Sequence, residues 1–339
     1  MTLRETQPAL SPEAPAAQPS TARRRAIALL KAVCSVALLA IVLRGIDTSK
    51  LQDIFNSANL WYVALAALIV APMPLINLPR WQALLEWLGY CLPRTALTRA
   101  LFVGSFFNQV LPSSVGGDAW RIWFCMRVGV PFGVATSTIL VERLAGLAVI
   151  FVLFGVVFVE LLGRVGPDPV RWVLWAMLAG CFGVGFAIAL LRAGMADRLQ
   201  SVRLLRPLAA FGRTLGVVTA SMRRSALLFA TALVGQLIGI TALWAVSLGL
   251  DASLSLVDCA VVFSPMVIAA LVPITVGGWG LREGALVVLL RFYDVSGEQA
   301  LLLSLLFSFA LLVGTLPGLA VWLASSPVSP WPDKAAKTD

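Results

Sequence analysis

Two stretches of this chain set residue types that hold anions at one repeated spacing. Pro112-Ser-Ser-Val115-Gly116-Gly117-Asp118-Ala-Trp-Arg121 and Pro273-Ile-Thr-Val276-Gly277-Gly278-Trp279-Gly-Leu-Arg282 both read P-x-x-V-G-G-x-x-x-R, at a constant offset. Proline restricts the residue before it and cannot donate to a helical ladder, so each stretch is expected to end a helix. The glycine pair permits positive φ and close backbone approach, and a second helix is expected to begin near Asp118 or Trp279. Amide N–H groups at a helix start carry partial positive charge, and an arginine one turn further on adds a planar fork of donors, so the pattern suits phosphate or carboxylate. The candidate binding residues are Pro112, Ser113, Gly116, Gly117, Asp118 and Arg121, with Pro273, Gly277, Gly278 and Arg282 in the second copy. Asn108, Gln109, Ser113, Ser114 and Asp118 make the surroundings of the first turn polar where the second copy is apolar, so the first reads as the working site.

Four further charges sit where charge is costly. Glu142-Arg143 lies inside the apolar stretch Pro131–Gly163, and Arg282-Glu283 lies beside the second turn. Neighbours in sequence do not face each other on a helix, so each of these groups is expected to find its partner elsewhere. Glu142 with Arg121 and Arg143 with Asp118 are the pairings expected. Asp118 is also placed to cap the helix carrying Arg121 or to carry a proton. A structural clamp between the first turn and the helix of Glu142 explains the pairings as well as a transport role does.

The elements that must position these residues follow from composition. Of 339 residues, 59% are apolar and 13% charged, and the mean hydropathy is +0.90, a balance no soluble core absorbs. About 20 residues at 1.5 Å each cross the hydrocarbon of a bilayer. Spans are expected over Ala26–Leu43 and near 60–78, 144–162, 172–191, 225–249 and 299–323. The two motif regions, Ala100–Val130 and Leu256–Phe292, are left over. The expected fold is an all-α polytopic membrane protein of about six full crossings plus two Pro/Gly-broken re-entrant hairpins, or eight helices. Residues 1–25, rich in proline and small polar residues, read as a disordered tail. The membrane domain of 26–324 divides into halves at 26–191 and 225–324, joined by a basic linker at 192–224, with a short tail at 325–339.

Loop charges orient this arrangement. Arg192, Arg198, Arg203, Arg206, Arg213, Arg223 and Arg224 face Asp197 alone, and the N-terminal tail carries Arg23, Arg24 and Arg25. Basic loops stay in the cytoplasm, so both termini and the linker are expected there, with Asp251 and Asp258 outside. Three crossings per half invert the second copy, which makes an inverted-topology repeat whose hairpins meet near the midplane. Trp61, Trp81, Trp172, Trp175, Trp244 and Trp322 lie near span ends and read as interfacial belts.

Composition also excludes classes. The chain has no histidine, which removes histidine-based acid–base, triad and metal chemistry. Cys34, Cys91, Cys125, Cys181 and Cys259 form no C-x-x-C and are expected as free thiols. No G-x-x-x-x-G-K-[ST] occurs, so ATP is not a substrate of this chain. The net charge of +9 serves topology and anionic lipid contact rather than nucleic acid. No cofactor, no metal and no catalytic residue is expected. A histidine-free enzyme on a lipid phosphate, with Asp118 and Glu142 as acid and base, stays as the alternative, as does an accessory subunit of lipid or cell-envelope biosynthesis.

Asn108-Gln-Val-Leu-Pro112-Ser-Ser-Val-Gly116-Gly117-Asp118-Ala-Trp-Arg121, then Glu142-Arg143-Leu-Ala-Gly, then Pro273-Ile-Thr-Val-Gly-Gly278-Trp-Gly-Leu-Arg282-Glu283, resemble the signatures of the flippase-like membrane domain of lysylphosphatidylglycerol synthases. The resemblance runs over nearly all of 26–324. It implies movement of a polar-headed, anionic or phosphate-bearing lipid between leaflets of a bacterial cytoplasmic membrane. The chain ends soon after the last span, so the soluble aminoacyl-transfer domain is expected to be absent and lysyl transfer is not implied. Partners implied by the resemblance are anionic membrane lipids and proteins of polyprenyl-phosphate glycolipid or hopanoid pathways.

Overall fold

The computed structural model describes residues 48–111, 116–190, 206–270, 280–324 and 336–337. Almost all of these are helical. In chain order they form α1 (Thr48–Ser57), α2 (Trp61–Val70), α3 (Met73–Trp87), α4 (Arg94–Val110), α5 (Gly116–Arg127), α6 (Phe132–Val165) and α7 (Val170–Leu190). They continue with α8 (Arg206–Thr219), α9 (Met222–Gly249), α10 (Leu256–Ala270), α11 (Leu281–Leu290), α12 (Gly297–Gly314) and α13 (Leu316–Ala324). Tyr90–Cys91 (β1) pairs antiparallel with Ala336–Lys337 (β2), a two-residue clip.

The chain is thus an all-α polytopic membrane protein. Four described stretches are long and apolar enough to cross a bilayer: Trp61–Trp87, Phe132–Val165, Met222–Gly249 and Gly297–Ala324. Of the other expected spans, α7 covers 172–190, and Ala26–Leu43 lies outside the described residues. Several boundaries differ from the hydropathy reading. The second span continues to Trp87, past a break at Ala71-Pro72 where proline removes a ladder donor. The third begins at Phe132 and runs uninterrupted for 34 residues, about 51 Å at 1.5 Å per residue. Pro131 opens it, and it closes at Gly166, whose φ of 58° leaves the helical region just before Pro167 and Pro169.

The helix α6 sets the geometry of the two motif regions. Ala135, near its start, shares a buried cluster with Leu92, Leu97, Phe124 and Val130, so the base of the α4–α5 hairpin sits at that end. At the opposite end, Arg164 contacts Asp258 at 3.3 Å and Arg291 contacts Asp168 at 2.8 Å, which ties the base of the α10–α11 region there. The two hairpin bases therefore lie at opposite ends of one membrane-crossing helix. The main core, from α2, α6, α9, α10 and α12, fills the space between them, with Phe154, Leu243, Val262 and Leu303 fully enclosed.

Candidate functional site

Five charged side chains from three helices surround one cavity of about 350 Å³. Arg80 comes from α3, Asp118 and Arg121 from α5, and Glu142 and Arg143 from α6. Glu142 with Arg121 and Arg143 with Asp118 are the two expected pairs, and both are present. Arg121 donates through Nη2 to Glu142 Oε2, and Arg143 donates through Nε to Asp118 Oδ2 at 2.8 Å, with its Nη2 at 2.6 Å. The remaining Glu142 oxygen accepts from Arg80 Nε at 3.0 Å. Glu142 is 4% exposed, against 11% for the side chains of Arg80 and Arg121. Burial of this depth demands such pairing, because an unpartnered ion loses its hydration without return.

The charges do not balance. Three guanidinium groups face two carboxylates, so the described lining carries a surplus of one positive charge. Arg121 is held further by the face of Trp81, whose ring centroid lies 4.1 Å from its guanidinium carbon. Its Nε is buried without a hydrogen-bond partner among the described residues. An anion entering the cavity meets donors already oriented and a field of the right sign.

Local sequence explains how α5 reaches this place. Gly117, at the start of α5, lies against the backbone of α4, where a Cβ would lie 1.8 Å from the Gly104 carbonyl oxygen. Only glycine fits there. Asn108 Oδ1 accepts the Gly117 N–H at 2.8 Å and so satisfies one donor of the first helical turn. The helix begins at Gly116, two residues before the expected start, which sets Asp118 inside its first turn, where a carboxylate suits the macrodipole, rather than at its cap.

Of the other candidates, Pro112, Ser113, Pro273, Gly277 and Gly278 lie outside the described residues. Arg282 and Glu283 are described and do not line this cavity. Glu283 is fully buried; it accepts the Gly280 N–H at 2.6 Å and lies 3.5 Å from Arg282 Nε, while Arg282 Nη2 donates to Ser308 at 2.6 Å. The two neighbours in sequence therefore contact each other after all, because Glu283 folds back over the helix start instead of projecting along its own face. A second correction concerns Trp81. It is not an interfacial residue but completely buried, its indole forming the floor under Arg121.

Sequence reasoning missed Arg80, Asn77 and Gln236. Ending the second span near 78 left Arg80 just outside it, where an arginine is ordinary; an arginine beside Pro79 and Trp81 in an apolar run was the signal. Val267, near the end of α10, lines the cavity together with Asn108 and Asp118. Both motif regions thus border it.

The family model of the lysylphosphatidylglycerol synthase TM region matches residues 27–318, and the chain belongs to that family. Over 159 residues the chain is 32% identical to Glycosyltransferase AglD of Haloferax volcanii, covering 46% of this chain and 25% of that protein. Over 119 residues it is 27% identical to UPF0104 membrane protein MJ1595 of Methanocaldococcus jannaschii, covering 34% of this chain and 35% of that protein. The matches span about a quarter and a third of these relatives' lengths.

Proposed function

From membership in this family, we propose that the chain moves a lipid with an anionic, phosphate-bearing head group between the leaflets of a bacterial cytoplasmic membrane, and that the head group binds in the cavity ringed by Arg80, Arg121 and Arg143. The observation that carries this reading is the surplus positive charge around a cavity within membrane-crossing helices. Burying even one arginine at membrane depth costs about 2.5–3.5 kcal/mol on insertion scales. Two carboxylates offset part of that cost for three arginines, and an anionic ligand supplies the missing counter-charge. Arg121 and Arg80 then exchange part of their hold on Glu142 for the phosphate, so the ion-pair ring is both the resting clamp and the binding site. The two motif regions, entering from opposite ends of α6, act as the halves of an inverted repeat that expose this site alternately.

Reconstitution into liposomes with labelled anionic lipids, with the lipid assayed for chemical change, tests the reading. Native protein is expected to move lipid without modifying it. Arg121→Ala is expected to lower the rate roughly ten- to a hundredfold, the worth of a charged hydrogen bond. Arg121→Lys restores only part of it, because an ammonium lacks the fork. A modified lipid would replace transport with the enzyme reading. Transport restored together with stability in Arg121→Ala/Glu142→Gln would reduce Arg121 to a structural clamp.

A further inference from the structure

Gln236 lies near the middle of α9, a helix of 28 residues and thus about 42 Å long, which places its carboxamide deep within the membrane. It lines the same cavity as the arginines, and its side chain makes no hydrogen bond among the described residues. Half-buried on the cavity wall, the amide takes its hydrogen-bond partners from whatever fills the cavity. Two more amides face the same space. Asn77 accepts from Arg80 Nη2 at 3.1 Å, and Asn108 accepts from the Gly117 N–H at 2.8 Å. Those donors fix the assignment of both side chains: each oxygen faces its donor, which leaves each NH2 group to act as a donor. Met73 brings their helices together, its terminal methyl 3.4 Å from where a Cβ on Gly235 would stand, and both Asn77 and Gln236 line the cavity. Thr231, the remaining hydroxyl on that wall, already donates to the Leu227 carbonyl at 2.8 Å.

We infer that Gln236, with the amide groups of Asn77 and Asn108, is a subsite reading hydroxyl groups, so that the cavity takes a lipid whose phosphate carries an uncharged, hydroxyl-rich head. This rests on the phosphate reading of the arginines above. A carboxamide presents a donor and an acceptor side by side, and adjacent hydroxyls satisfy both. A bare phosphate only accepts, so the Gln236 oxygen stays unmet. An ammonium head only donates, leaves the NH2 group unmet, and adds positive charge where the lining already has a surplus. Size agrees. The cavity of about 350 Å³ holds the equivalent of about twelve water molecules at ~30 Å³ each, more than a phosphate alone displaces.

The test is binding of short-chain phosphatidylinositol, phosphatidic acid and phosphatidylethanolamine to the purified full chain in detergent, read by titration calorimetry. Phosphatidylinositol is expected to bind about tenfold more tightly than phosphatidic acid, the scale of one or two neutral hydrogen bonds, and phosphatidylethanolamine more weakly than either. Gln236→Met, close to glutamine in length and shape, is expected to bring the first ratio to about one; Gln236→Leu is the second variant, and melting temperatures confirm that both fold. A ratio near one in the native chain, or a ratio retained in both variants, overturns the inference. Arg80→Gln separates the two readings: it weakens all phosphate lipids alike if the anchor is right. Equal, Arg80-dependent binding of phosphatidylinositol and phosphatidic acid defeats the hydroxyl subsite alone, whereas absence of binding by the native chain defeats both.

Discussion

Glu142 is the residue on which the buried charges converge, with Arg80 on one oxygen and Arg121 on the other. That sharing sets an order of mutational cost. Arg121→Ala leaves Glu142 still held by Arg80, whereas Glu142→Gln leaves two mostly buried guanidinium groups without their common counter-charge. Breaking a buried pair by removing one partner costs about 3–5 kcal/mol. Glu142→Gln is therefore expected to lower the melting temperature in detergent clearly more than Arg121→Ala. Equal losses would show that Arg80 does not support Glu142. Asp118, Arg121, Glu142 and Arg143 were legible in the sequence because charges inside apolar stretches have few possible partners. Arg80 and Gln236 were not. The first lay beyond a boundary drawn from hydropathy, and the second is a single uncharged amide whose significance depends on which wall of the bundle it faces.

At the scale of elements, the tip of the α4–α5 hairpin is held at direct backbone contact between Gly117 and Gly104. With the Gly117 Cβ position 1.8 Å from a carbonyl oxygen, no side-chain rotation relieves a substitution there. Gly117→Ala is expected to force the two helices apart, at a cost of about 1–3 kcal/mol for overpacking, and to displace Asp118 and Arg121 together. Lipid binding should then fall along with melting temperature. Binding at native strength in Gly117→Ala would mean that the hairpin does not position the arginine. The need for glycine at this turn was readable from the P-x-x-V-G-G pattern, and so was the presence of long apolar helices. What hydropathy cannot supply is where a helix stops when packing outweighs composition. Trp81, Leu84 and Leu85 are buried against neighbouring elements, and their burial carries α3 on to Trp87. The same burial turns an expected interfacial tryptophan into the support of Arg121.

For the whole molecule, the ends of α6 separate two chemically different faces. One carries the hairpin base with Arg94 and Arg127, together with the β1–β2 clip that draws Ala336–Lys337 to Tyr90–Cys91. The other carries the ion pairs of Arg164 with Asp258 and Arg291 with Asp168, which close the α6–α7 loop onto α10 and the end of α11. Retention of basic segments in the cytoplasm predicts that the first face lies inside. The native thiols supply a test, because Cys91 is exposed on that face while Cys125 and Cys259 are buried. In a background with Cys34 and Cys181 replaced by serine, a membrane-impermeant maleimide is expected to label Cys91 in inside-out vesicles and not in intact cells. Pro167→Cys, at the exposed α6–α7 loop and with Cys91 also replaced by serine, should give the opposite pattern. Both residues flank the same helix, so they must report opposite sides if α6 crosses once. Labelling of both from one side would overturn the crossing, and with it the opposed entry of the two hairpins. Labelling from opposite sides but in reverse would keep the fold and invert its orientation, placing the basic linker outside.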